Sequence, residues 1–81
     1  MEIDFSIHAR GMMAERGIPE EWIRRCLKSP DSKEAGADGN DHYLKAIEEH
    51  GSRVLRVIVN PHRQPSRVVT LFFDRRLGRR R

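Results

Sequence analysis

The chain predicts an α+β domain in which two N-terminal helices pack on an antiparallel sheet of three or four strands. Apolar residues recur at helical spacing as far as Lys28, then alternate or run together at strand spacing from His42 onward. Short, turn-rich connections between the later segments make adjacent antiparallel pairing the economical topology. Helices first and strands afterwards is the α+β pattern.

Taken in order, Met1–Phe5 is short and reads as an edge strand or an extended lead-in. The first helix spans about Ser6 to Arg16. Ser6 suits the N-cap, where its hydroxyl can accept from an unpaired amide of the first turn. Phe5, Ala9, Met12 and Met13 share one face. Gly17 can take the left-handed conformation that closes a helix. Pro19 fits the first turn of a second helix running to about Lys28. Its apolar stripe is Ile18, Trp22, Ile23, Cys26 and Leu27, with Trp22 expected in the core. Glu20–Arg24 and Glu21–Arg25 are i,i+4 pairs in the favoured order and mark a solvent face. Pro30 disfavours helical geometry at Ser29 and ends the helix.

Ser32–Ala37 is weakly strand-like, and Gly36 to Asp41 is rich in turn residues. His42–Glu48 alternates, with Tyr43, Lys45 and Ile47 on one side and His42, Leu44 and Ala46 on the other. Glu49–Ser52 is a hairpin connection. Arg53–Asn60 is the strongest strand, apolar on both faces except at Arg56. Pro61–Ser66 forms a loop, because its prolines cannot donate to a ladder. Arg67–Asp74 is the second strong strand. One domain over residues 1–76 is expected, followed by a basic tail, 77–81, expected to be disordered.

Composition bounds the function. A chain of 81 residues, 37% hydrophobic, holds one small core. Its single cysteine, Cys26, excludes an internal disulfide and fits a reducing cytoplasm. No run approaches the roughly 20 apolar residues that span a bilayer, and the N-terminus lacks a secretory pattern. The expected location is the cytoplasm, with no membrane partner.

The net charge of +4 hides a division. Residues 1–52 hold 7 Lys and Arg against 11 Asp and Glu; residues 53–81 hold 9 Arg, no Lys, and one acid, Asp74. Guanidinium is a planar fork that suits phosphate oxygens. A strongly basic half favours an anionic partner such as nucleic acid. The plainer alternative is solvated surface with a basic tail.

Several chemistries have no residues to carry them. His8, His42, His50 and His62 are scattered and no Cys/His spacing suits zinc, so neither metal nor cofactor is expected. Gly36-Ala-Asp-Gly39 does not join a strand to a helix, so it is no phosphate loop. What remains is His8, an acid or base near neutral pH, together with Lys45 and the arginines. His8 can equally bond nearby backbone, and Arg16 can simply complement the helix dipole. Arg56 interrupts a strand otherwise buried on both sides. Either it marks an open sheet face or it pairs with an acid such as Glu48 or Asp41, since an unpaired buried charge is costly. Arg67, Arg75 and Arg76 flank the last strand, and Tyr43 and Lys45 could join them.

His8-Ala9 followed by Met13-x-Glu15-Arg16-Gly17-Ile18 resembles the signature His-Ala-x-x-Arg-Met-x-Glu-Arg-Gly-Ile of a bacterial domain family of unknown function. That family is grouped with the RelE/ParE/BrnT-like small toxins. The signature's first arginine falls at Met12 here, with an arginine at Arg10 instead. The resemblance implies a RelE-like fold, two helices on one face of a curved antiparallel sheet. It also implies a metal-independent RNA endonuclease of a toxin–antitoxin system, acting on free or ribosome-bound RNA. In such an enzyme the ribose 2′-OH attacks the adjacent phosphate and fixed cations stabilise the developing charge. His8 and Arg16 are carried by the signature itself. On this reading His8, Arg56 and Arg75 form the catalytic set, and Arg16, Lys45, Arg67 and Arg76 bind phosphate. The partners would be RNA or the ribosome, and an antitoxin with an acidic or amphipathic segment. The alternative is a non-catalytic module whose basic half docks on nucleic acid or an acidic protein.

Overall fold

A computed structural model describes residues 2–77. Along the chain lie β1 (Ile3–Phe5), α1 (Ile7–Arg16), α2 (Glu20–Lys28), β2 (Ser32–Ala35), β3 (Asp41–Ile47), a 3-10 turn (Glu48–His50), β4 (Arg53–Asn60) and β5 (Ser66–Phe73). The tail expected over 77–81 lies outside the described residues except for Leu77.

Local chemistry sets the helix ends. Ser6 caps α1, its Oγ accepting from the Ala9 amide at 2.9 Å and donating to the Val69 carbonyl at 2.9 Å. One hydroxyl therefore starts the helix and fastens it to β5. Gly17 closes α1 in the left-handed region at φ 65, with its N–H returned to the Met13 carbonyl. Pro19 stands one residue earlier than expected, at the N-cap of α2 rather than inside its first turn.

The sheet corrects the expected architecture. It has five strands, not three or four, in the order β1-β5-β4-β3-β2, and it is mixed rather than antiparallel. The four strands β2 to β5 form an antiparallel meander. β1 joins the far edge parallel to β5, with Ile3 opposite Ser66 and Phe5 opposite Val68. The chain thus opens with a strand of the sheet, ahead of both helices, and the RelE-like arrangement does not describe it. A three-residue strand is too short to show a period, and its partner lies across the whole domain. Asp4 accepts from Arg67 Nη2 at 2.8 Å across a separation of 63 residues, and the Ser6 amide donates to Val68 O at 3.0 Å. Those long-range bonds fix β1 in place.

α1 lies against β5 and β1, and α2 against β3 and β4. Phe5, Ala9, Ile18, Ile23, Cys26 and Leu27 meet Tyr43, Ile47, Leu55, Val57, Val59, Val68 and Leu71 in one core. Each such aliphatic or aromatic side chain, fully buried, contributes roughly 1.5–3 kcal/mol. The Cys26 thiol sits 3.9 Å from Leu55 O, and burial pushes its pKa up to about 12. Trp22 is only partly buried, at the margin of this core.

Alternation sends the intervening residues to the other face. There Thr70, Ile58, His42 and Glu34 form one cross-strand row, and Phe72, Arg56, Leu44 and Ser32 the next. Among the described residues no helix is long and apolar enough to cross a membrane.

Candidate anion-binding cleft

Because β4 and β5 run antiparallel, the start of one lies beside the end of the other. Leu55 stands opposite Phe73, and the Asp74 amide donates to Val54 O at 2.9 Å. Arg53 and the segment after Phe73 therefore share one end of the sheet, where α1 also finishes with Arg16. A cleft of about 480 Å³ opens there, lined by Arg16, His50, Arg53, Phe73, Asp74, Arg75 and Leu77.

The connection between β3 and β4 supplies one wall. Gly51, at φ 66, gives its amide to Glu48 O at 3.2 Å, which turns the chain tightly after His50. His50 then lies over Phe73 with ring centroids 4.5 Å apart. Trp22 completes an aromatic corner, 5.8 Å from His50 and 6.2 Å from Phe73. Aromatic pairs in this range add to the area they bury.

Electrostatics separates two kinds of arginine. Arg10, Arg24, Arg25, Arg56, Arg67 and Arg76 each face a carboxylate. Among the described residues, Arg16, Arg53, Arg63 and Arg75 have none in ion-pair range; Arg63 is in the loop before β5, and the other three are exposed in the cleft. The acid in the wall, Asp74, is already engaged. Its Oδ2 accepts from Arg56 Nε at 2.9 Å and Arg76 Nη2 at 3.1 Å. Its Oδ1 accepts from the Arg76 amide at 3.0 Å and Arg76 Nε at 3.1 Å. The Arg76 guanidinium foremost, opposed by burial, holds the Asp74 carboxyl down at about 2.

Behind Asp74 the contacts continue across the open face. Arg56 Nη1 donates to His42 Nδ1 at 2.8 Å. A guanidinium only donates, so His42 Nδ1 is bare and the ring proton sits on Nε2, facing Asp38 at 3.4 Å. Glu34 approaches Arg56 at 3.9 Å.

The predicted site residues are divided by this arrangement. Arg16 and Arg75 meet in the cleft. Arg56 lies on the sheet face opposite the core, and its partner is Asp74, not Glu48 or Asp41. Arg76 clamps Asp74 from the exposed side. Lys45 is on the helix side, donating to Ser29 O at 2.8 Å and lying 3.6 Å from Asp31, where it ties β3 to the end of α2. Arg67 is at the β1 edge on Asp4. His8 Nε2 is 3.1 Å from Thr70 Oγ1, ~12 Å along α1 from Arg16. His8 and Arg56 thus have separate partners away from Arg75, and of the three only Arg75 lines the cleft. The sequence does not single out Arg53 or His50, although the antiparallel pairing of the two strong strands already places Arg53 beside Arg75.

Three unpaired guanidiniums can hold adjacent phosphates through charge-assisted hydrogen bonds. Among the described residues no group of three or more His, Cys, Asp or Glu gathers to hold a metal ion. Neither the curated proteins nor the solved structures gave a match to this chain. The family of unknown function DUF4258 matches residues 5–73, most of the chain, and the chain belongs to it.

Proposed function

We propose that this protein binds RNA along its phosphate backbone through the cleft of Arg16, Arg53 and Arg75. In this reading it acts as the toxin-type protein of a toxin–antitoxin pair in the bacterial cytoplasm. One observation carries the reading: among the described residues six arginines face carboxylates and Arg63 stands alone in the loop before β5, while these three converge on one cleft with no carboxylate in ion-pair range. Exposed cations that are not neutralised internally are the ones a polyanion can use. RNA, alone or on the ribosome, supplies that polyanion. An antitoxin with an acidic or amphipathic segment fits the same cleft as its natural cover.

The test is binding of a fluorescent single-stranded RNA across a salt series. Three phosphate contacts give a slope of log K against log salt near −2, from about −0.7 for each. Arg16→Ala, Arg53→Ala and Arg75→Ala each reduce that slope, while Lys45→Ala and Arg67→Ala leave it unchanged. No binding at low salt overturns the reading.

A second reading, metal-independent cleavage, is favoured by His50, whose imidazole stands in the same cleft as the arginines. An imidazole can take the 2′-OH proton as the 2′-oxygen bonds to phosphorus, guanidiniums stabilise the phosphorane, and the P–O5′ bond breaks as the 5′-oxygen takes a proton from the imidazolium. It predicts RNA fragments ending in cyclic phosphate in the presence of chelator. These vanish with His50→Ala and persist with His8→Ala, and growth arrest on expression follows the same pattern. Loss with His8→Ala alone would return catalysis to the start of α1.

A further inference from the structure

The acidic member of the cleft wall poses a problem of sign. A carboxylate beside bound phosphate repels it, so Coulomb's law alone says that removing Asp74 tightens anion binding. Its hydrogen bonds argue the reverse.

Asp74 is 2% exposed at its side chain and is the point where three structures join. Its amide is bonded to Val54 O, which fastens it to the start of β4 next to Arg53. Its carboxylate accepts from Arg56 on one side and three times from Arg76 on the other. Its carbonyl accepts from the Leu77 amide at 3.1 Å, closing a turn over 74–77. Arg75 is the one residue of that turn held between two anchored neighbours, and its side chain goes into the cleft. Two guanidiniums share the single carboxylate, so the local balance around Asp74 is positive.

We infer that Asp74 is a positioning residue that strengthens anion binding in the cleft by fixing Arg75 relative to Arg53. The inference rests on the proposed function of the cleft. An amide at this position cannot do the same work. The asparagine side chain of Asp74→Asn offers one acceptor oxygen and turns an NH2 donor toward guanidinium and amide donors, so the turn loosens.

The experiment measures affinity for a labelled single-stranded RNA, with inorganic polyphosphate as a second probe, for wild type, Asp74→Asn, Arg75→Ala and the double variant. Asp74→Asn weakens binding of both probes at least about threefold, although it removes a negative charge. In the Arg75→Ala background the same substitution costs nothing further, because Asp74 acts through Arg75. A purely structural role would add its cost equally in both backgrounds, and that result overturns the inference. So does Asp74→Asn binding as tightly as wild type, or more tightly. If Asp74→Asn fails to fold, Asp74→Glu decides. It keeps the charge but displaces the carboxylate by one methylene, and it must show the same loss; wild-type affinity overturns the inference. Wild-type protein that binds neither probe removes the proposed function and this inference with it. Wild-type binding that survives Asp74→Asn removes the inference alone.

Discussion

Arg56 and Arg75 belong to the same end of the sheet, yet their surroundings are opposite. Arg56 sits mid-strand with its side chain 11% exposed, bonded to Asp74 and His42. Arg75 sits in the turn after β5, exposed and without a carboxylate among the described residues. A charge within a paired strand is desolvated by its neighbours and must be matched by an acid. A charge at a strand end keeps its water and needs no partner. Position along the strand therefore decides whether an arginine holds the fold together or remains available to a ligand.

The largest effect expected from this contrast is at Arg56. Arg56→Ala leaves Asp74 buried with only Arg76 to pair it and leaves His42 Nδ1 without its donor. Breaking one side of a buried ion pair costs about 3–5 kcal/mol. That is a large part of the roughly 4–12 kcal/mol available to a domain of this size. Urea unfolding followed by circular dichroism measures it. A shift no larger than that of an exposed arginine would mean the knot around Asp74 contributes nothing to the fold.

Acid sharpens the same comparison. Asp74 has its carboxyl at about 2, below the ordinary 3.8, chiefly because of the Arg76 guanidinium. A depressed carboxyl stabilises the fold fully above the ordinary value, and the contribution is lost as pH falls through the folded one. Stability should therefore decline between about pH 4 and about pH 2, and Asp74→Asn should flatten much of that decline. Glu49 is also held down at about 2, by Arg25, but this pair is exposed. Added salt should erase the Glu49 contribution and spare most of that from Asp74, since buried pairs are weakly screened. An acid transition that salt abolishes completely would assign it to surface pairs.

The same distinction between local and long-range causes explains what was legible in the sequence. Ser6 and Gly17 act on residues within four positions, so cap and C-terminus could be read directly, as could the apolar stripe Ile23, Cys26 and Leu27. Met1–Phe5 could be read as an edge strand or a lead-in, but not its partner, because the pairing with β5 depends on residues at the other end of the chain. The α+β composition was therefore visible while strand number and the parallel edge were not. Arg56 was visible as an anomaly. Its acid was not: Glu48 and Asp41 flank the neighbouring strand, whereas Asp74 lies just beyond β5 and reaches back. The cleft was half legible. Arg16 and Arg75 stand out by charge, but His50 looks like any hairpin residue until the turn at Gly51 lays it over Phe73.

The smallest expected effect on stability is at the three cleft arginines. Arg16→Ala, Arg53→Ala and Arg75→Ala each remove an exposed cation with no ion pair among the described residues, and exposed substitutions of this kind usually fall within about ±0.5 kcal/mol. Their like charges face one cleft, so removing all three relieves repulsion and should leave the thermal midpoint unchanged or slightly raised. The relief should be greatest at low salt and vanish as ionic strength rises. That salt-dependent sign is the decisive feature, because a stabilising role would give a loss that salt does not reverse. A triple variant that melts well below wild type at every ionic strength would place these arginines with Arg56, as parts of the scaffold, and dissolve the contrast between the two groups.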